Sequence, residues 1–140
     1  MIIYTDASFH WKKELKSKIK KGKICILLGK KRKILKDIEI PEIWGLKQYT
    51  NLLELWAVRE ALFATRAKEV MLWTDSQVAC HWTRRRYNNL AQFSDFHYRL
   101  KEEIDEKVVG LKSFEIDWIP RTKNKAGIIL EALDKSLETQ

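Results

Sequence analysis

The chain has 140 residues, enough for one domain around one core. Hydrophobic residues make up 45% and charged residues 33%, which excludes a largely disordered chain, and no apolar run approaches the roughly 20 residues of a membrane span. Lys and Arg number 27 against 19 Asp and Glu, for a net charge of +8; this points to a polyanionic partner, with a merely solvated basic surface as the alternative.

The N-terminus runs straight into Ile2-Ile3-Tyr4 without the basic and apolar regions of a secretory signal, so an intracellular protein, or a domain of a larger one, is expected. Residues 1–6 are predicted to form a buried strand. Residues 7–22 are basic and poor in apolar positions, and are expected to be a loop or protrusion. A second strand is predicted over 23–28, a hairpin turn at Gly29-Lys30-Lys31-Arg32, and a third strand over 33–40 that Pro41 stops.

Thr50-Asn51 has the character of a helix N-cap. The helix that follows is predicted over 52–67, with Leu55, Val58 and Leu62 at helical spacing. Residues 70–74 read as a strand, and Ser76 opens a second helix through Val78 and Trp82. The pattern breaks at Arg84-Arg85-Arg86-Tyr87 and resumes in a third helix with Phe93, Phe96, Leu100 and Ile104 on one stripe. Gly110 closes it, residues 113–119 alternate as a last strand, and Asn124 caps a final helix over about 126–137. The expected fold is therefore α/β, one domain over 1–140 in the order β-β-β-α-β-α-α-β-α. Three antiparallel strands come first, followed by strands reached through helical crossovers.

Two aspartates stand out. Asp6 and Asp75 each follow an apolar strand in the local string Thr-Asp-small, and open α/β sheets bind ligands at strand ends. Each also suits a plain turn or helix cap. Glu54 fits a capping box with Asn51, yet it shares a face with Val58 and Leu62, and an acid turned toward a core needs a partner such as a metal. Together the three acids form an oxygen-only cluster suited to Mg²⁺ or Mn²⁺ rather than zinc. Cys25 and Cys80 are the only cysteines, too few for a disulfide framework or a thiolate zinc site, and read as buried free thiols. His10, His81 and His97 show no metal spacing, and Trp82 suits a core or a stacking surface equally.

The segments Ile3-Tyr4-Thr5-Asp6-Ala7-Ser8, Thr50-Asn51-Leu52-Leu53-Glu54-Leu55-Trp56-Ala57-Val58, Leu72-Trp73-Thr74-Asp75-Ser76-Gln77 and Trp118-Ile119-Pro120-Arg121 with Asn124 resemble the ribonuclease H family. They stand in the family's order and span nearly the whole chain, and residues 72–82 with the helix after them are most similar to the domains of reverse-transcribing elements. The resemblance implies a five-stranded mixed sheet with helices on both faces. It also implies hydrolysis of the RNA strand of RNA–DNA hybrids with two Mg²⁺ ions, for which Mn²⁺ substitutes. Asp6, Glu54 and Asp75 match the first three metal-ligand positions. Arg84, Arg85, Arg86, Arg121, Asn124, Ser8 and Gln77 are the expected nucleic-acid contacts, and the basic segment 12–23 replaces a glycine-rich connection common in the family.

One departure bears on activity. The family's fourth acid opens the last helix, and that position falls on Gly127 or Ile128, neither of which binds metal. Arg121 stands where bacterial members carry a histidine, and Arg cannot act as a base. Three explanations follow: a binding-only relative, a centre inactivated by design, or substitution by Glu131, one helical turn on and able to lean back toward the N-terminus. A strand-transfer or junction-resolving nuclease of the same fold is a further alternative.

Overall fold

The alternating apolar residues at the start of the chain become three strands: β1 (Ile2–Ser8), β2 (Lys20–Leu28) and β3 (Arg32–Ile40). The computed structural model describes residues 1–9, 20–40, 49–84 and 95–138. Helix α1 (Tyr49–Ala64) leads to β4 (Glu69–Thr74), then α2 (Gln77–Arg84), α3 (Asp95–Val109), β5 (Ser113–Trp118), a 3₁₀ turn (Arg121–Lys123) and α4 (Lys125–Glu138). The sheet is five-stranded in the order β3-β2-β1-β4-β5. β2 pairs antiparallel with β1 and with β3, whereas β4 pairs parallel with β1 and β5. The expected meander and crossovers are therefore both present.

Two boundaries moved for the same reason, ladder pairing. β1 continues to Ser8 because Ala7 and Ser8 sit opposite Ile24 and Lys23. β2 begins at Lys20 because Lys20 and Lys21 oppose Ile40 and Glu39, so the basic end of the expected loop is strand; residues 10–19 of it, and Pro41, lie outside the described residues. The β2–β3 turn is as expected: Gly29 has φ 63°, a left-handed conformation that glycine adopts without steric cost, and its N–H donates to Ile2 O at 2.9 Å.

Helix α1 starts at Tyr49 and ends at Ala64, three residues ahead of the prediction at each end. Thr65 stops it: its Oγ1 accepts from Ala67 N at 3.1 Å, a local bond that competes with further helix. Ser76 caps α2 by accepting from Ala79 N at 3.0 Å, and Asn124 caps α4 by accepting from Ala126 N at 3.2 Å, both as expected.

Helices cover both sheet faces. On one, Ile3, Ile26, Leu72 and Ile116 pack against Leu52, Leu55 and Val58 of α1, backed by Leu100 and Ile104 of α3. On the other, Tyr4, Cys25 and Leu27 meet Ala126, Ile129 and Leu130 of α4. Each such fully buried aliphatic side chain stabilises the fold by roughly 1.5–3 kcal/mol. Among the described residues no helix is long and apolar enough to cross a membrane.

Candidate metal centre

β1 and β4 run side by side in the same direction, with Thr5 opposite Thr74. Their next residues, Asp6 and Asp75, therefore project at one end of the sheet. α1 crosses this end and turns Glu54 into it. Ligand oxygens of Asp6, Glu54 and Asp75 all lie within 4.8 Å of one another. Asp6 is 3% and Glu54 4% exposed, while Asp75 is half-buried.

The competing local roles of these acids fall away. Asn51 lies inside the first turn of α1 and not at its cap, so Glu54 does not close a capping box; its carboxyl faces Asp6. Asp75 does not cap α2, because Ser76 does.

Crowding acids in a dry pocket is costly unless something positive joins them. Burial, and then the charge of Asp75, push the Asp6 carboxyl up to about 6. Burial, then the charges of Asp6 and Asp75, hold Glu54 well above the usual carboxylate range, and its protonated form donates to Asp6. Buried oxygens Asp6 Oδ2 and Glu54 Oε2, with Thr5 Oγ1 and Ser8 Oγ nearby, have no hydrogen-bond partner. Unpaired buried carboxylate oxygens grouped this way fit a hard divalent cation, which prefers oxygen ligands.

The start of α4 closes the centre. Asn124 is fully buried. Its Nδ2 donates to Thr5 O at 2.9 Å and to Asp75 Oδ2 at 3.1 Å, while Oδ1 caps the helix. Its polar groups are thus all spent inside the protein, which corrects its expected role as a nucleic-acid contact. Gly127 is the position that faces the acids: a Cβ there would lie 3.1 Å from Asp6 Oδ2 and 3.3 Å from Asp75 Oδ2. Ile128 points outward, 51% exposed. Glu131 is not brought to the centre. Its side chain is 52% exposed and pairs with Lys135 Nζ at 3.6 Å, so the local i,i+4 ion pair takes it in place of the reach back toward Asp6.

Of the other expected residues, Ser8 lies two positions beyond Asp6 on β1, and Gln77 is exposed in the first turn of α2. Arg121 is exposed on the 3₁₀ turn, close enough for its charge to pull the Asp6 carboxyl downward. Arg84 is largely committed within the protein: Nε and Nη2 donate to Ile116 O at 3.0 and 2.6 Å, and Nη2 lies 3.1 Å from Asp117 Oδ1. Arg85, Arg86, Tyr87 and His10 lie outside the described residues. Trp82 is core, and its ring packs 5.6 Å from that of buried His97. Cys25 and Cys80 are free and buried, and burial raises the Cys25 thiol to about 11. Trp118 was not singled out for the site, yet its Nε1 donates to Asp75 O at 3.1 Å; strand alternation alone carries no signal for that bond.

No protein-family model and no curated protein matches the sequence. Among solved structures, the chain is similar to ribonuclease H1 from the halophilic archaeon Halobacterium salinarum NRC-1, with 18% identity and a TM-score of 0.63 over 96% of this chain and 97% of that one. It is also similar to the N-terminal ribonuclease H domain of a Mycobacterium tuberculosis protein solved as a fusion with maltose-binding protein, with 13% identity and a TM-score of 0.65 over 97% of this chain and 96% of that one. At such identities the likeness is one of fold: the chain has a ribonuclease H-like fold.

Proposed function

We propose that the chain is a divalent-metal-dependent nuclease that hydrolyses the RNA strand of RNA–DNA hybrids, impaired by the loss of one carboxylate at Gly127. The observation that carries this reading is the group of Asp6, Glu54 and Asp75 within 4.8 Å, its buried oxygens unpartnered, at the strand ends of a ribonuclease H-like sheet.

In this reading the three carboxylates hold Mg²⁺, with Mn²⁺ as a substitute. When bound, such an ion activates water and stabilises the leaving oxygen of a phosphodiester. In the two-ion form of the reading, Asp6, Glu54 and Asp75 would be shared between the ions, because Gly127 offers no carboxylate on its side. Asn124 orients Asp75. Arg121 grips a phosphate, and Ser8, Gln77, Arg84, Arg85 and Arg86 are the further contacts that the family resemblance suggests. The net charge of +8 supplies sequence-independent affinity. The reading takes 1–140 as one domain, acting as a monomer or within a larger polyprotein. Two free, buried thiols accord with a reducing, intracellular setting. The finer placement among reverse-transcribing elements rests on the sequence alone, in residues 72–82 and the helix after them.

A second reading, a hybrid-binding module without efficient turnover, is favoured by Gly127. Cleavage of a labelled RNA–DNA hybrid in Mg²⁺ and in Mn²⁺ separates the two. The nuclease reading expects cleavage that is lost in Asp75→Asn and kept in Glu131→Gln. Cleavage unchanged in Asp75→Asn sinks the metal centre, hybrid binding without cleavage selects the second reading, and cleavage of duplex DNA instead selects a strand-transfer or junction-resolving nuclease.

A further inference from the structure

Two aromatic side chains are exposed among the described residues, Phe63 and Trp118, each 43%. They differ in what covers them. The Phe63 ring is occupied by cations, with Arg59 at 4.1 Å and Lys107 at 4.6 Å from its centroid. The Trp118 indole has no ring or cation packed on it among the described residues. It is nonetheless held in place: Nε1 donates to Asp75 O at 3.1 Å, and the next residue, Ile119, donates its N–H to Thr74 O at 2.9 Å. The end of β5 is thereby stitched to the end of β4 by one side-chain and one main-chain bond. An aromatic surface is left standing open beside a candidate metal ligand.

The surroundings select what that surface meets. Arg121 and Lys123 are exposed on the segment between β5 and α4, and Lys125 is exposed at the start of α4. An open aromatic with a cationic flank matches a nucleic-acid strand, whose bases and sugars are flat and apolar and whose backbone is anionic. Fixing the ring before binding lowers the ordering cost of using it.

We propose that Trp118 is a substrate-binding residue, whose indole packs on a base or sugar of the strand that enters the centre at Asp6, Glu54 and Asp75. This rests on the nucleic-acid reading above. Packing of this kind is sequence-tolerant and releases few counterions, so it contributes affinity without contributing to the salt dependence.

The test is the affinity of a fluorescently labelled RNA–DNA hybrid, measured by anisotropy in Ca²⁺ across a salt series, for the wild-type chain, Trp118→Ala, Trp118→Phe and Arg121→Ala. Trp118→Ala is expected to weaken binding by about 5- to 100-fold with the slope against salt unchanged. Trp118→Phe, which keeps an aromatic face and loses the bond to Asp75 O, is expected to recover most of it. Arg121→Ala is expected to flatten the slope. Equal affinity of Trp118→Ala and wild type overturns the proposal while leaving the nucleic-acid reading intact; so does Phe behaving like Ala, which reduces Trp118 to an anchor for Asp75. A wild-type chain that does not bind the hybrid overturns the nucleic-acid reading and this inference with it.

Discussion

Asn124 donates one amide hydrogen to Asp75 Oδ2 at 3.1 Å and the other to Thr5 O at 2.9 Å. One buried side chain thus ties together the end of β4, the backbone just before Asp6 and, through its capping oxygen, the start of α4. Removing it strands buried acceptors and uncaps a helix. Asn124→Ala is expected to lower the unfolding free energy by about 2–4 kcal/mol, read from urea melts. It should also weaken Mn²⁺ binding, because Asp75 is freed to turn. Unchanged Mn²⁺ affinity would show that Asn124 serves the fold alone.

The crowded acids make the metal-free protein sensitive to pH in a defined direction. The Asp6 carboxyl rises from 3.8 to about 6 in the folded state, and Glu54 rises as well. The folded form therefore holds protons that the unfolded chain has released. Their contribution to stability is full below about pH 4 and is lost as pH rises through 6, on the order of 3 kcal/mol for Asp6. Burial also holds His97 down to about 4, which adds stability as pH rises toward 6.5, so the acids are read as a difference from Asp6→Asn. In EDTA the melting temperature of the wild type should fall relative to that of Asp6→Asn between pH 5 and pH 7, and Mg²⁺ should restore it at pH 7. A wild-type melting temperature that climbs relative to Asp6→Asn over this range would contradict the arrangement.

Gly127 bears on ion stoichiometry. Two adjacent dications bring four positive charges to a centre with three carboxylates, and nothing on the Gly127 side adds a fourth. Calorimetric titration of the free protein should count one Mn²⁺ per chain. A Cβ at this position sits 3.1 Å from Asp6 Oδ2, closer than ordinary contact, so Gly127→Ala has to displace a ligand. The Asp6 carboxylate then has to give by a few tenths of an ångström, and Gly127→Ala is expected to weaken Mn²⁺ binding.

Leu130 is 1% exposed in the small core that clamps α4 to the sheet. Leu130→Ala is expected to cost about 2–4 kcal/mol. Because α4 also carries Asn124 at its start, the same variant should weaken Mn²⁺ binding. Ile104→Ala, in the larger core, should lose similar stability with less effect on the ion. Equal metal affinities in the two variants would uncouple α4 from the centre.

Much of this was legible in the order of residues. Asp6 and Asp75 are marked by what precedes them, since an acid directly after an apolar run is drawn to the edge of the core; β1 nevertheless continues to Ser8, and Asp6 is buried. Glu54 was ambiguous because a capping box and an inward ligand use the same letters, and only the start of α1 at Tyr49 decides between them. The choice between Gly127 and Ile128 turned on one residue of helical phase, which a hundred-degree step resolves in space and no spacing rule resolves in sequence. Asn124 was recognised as a cap from its neighbours; its bonds to Thr5 and Asp75 span 119 and 49 residues and leave no local trace. The start of β2 is hidden because Lys20 and Lys21 look like loop, lysine being depleted in strands; pairing with Ile40 and Glu39 overrides that propensity.

Arg84 has a role in solution behaviour as well. β5 is the last strand of the sheet, and Arg84 places two donors on the Ile116 carbonyl along it. A strand from a second molecule cannot take that acceptor without evicting a guanidinium that is also paired with Asp117. At the opposite border, β3 offers charged side chains of both signs to solvent, Arg32, Lys33 and Lys36 with Asp37 and Glu39, and burying them against another chain is costly. Both borders of the sheet thus discourage edge-to-edge aggregation, and Arg84→Ala should leave the chain more prone to form β-rich aggregates on prolonged incubation at high concentration.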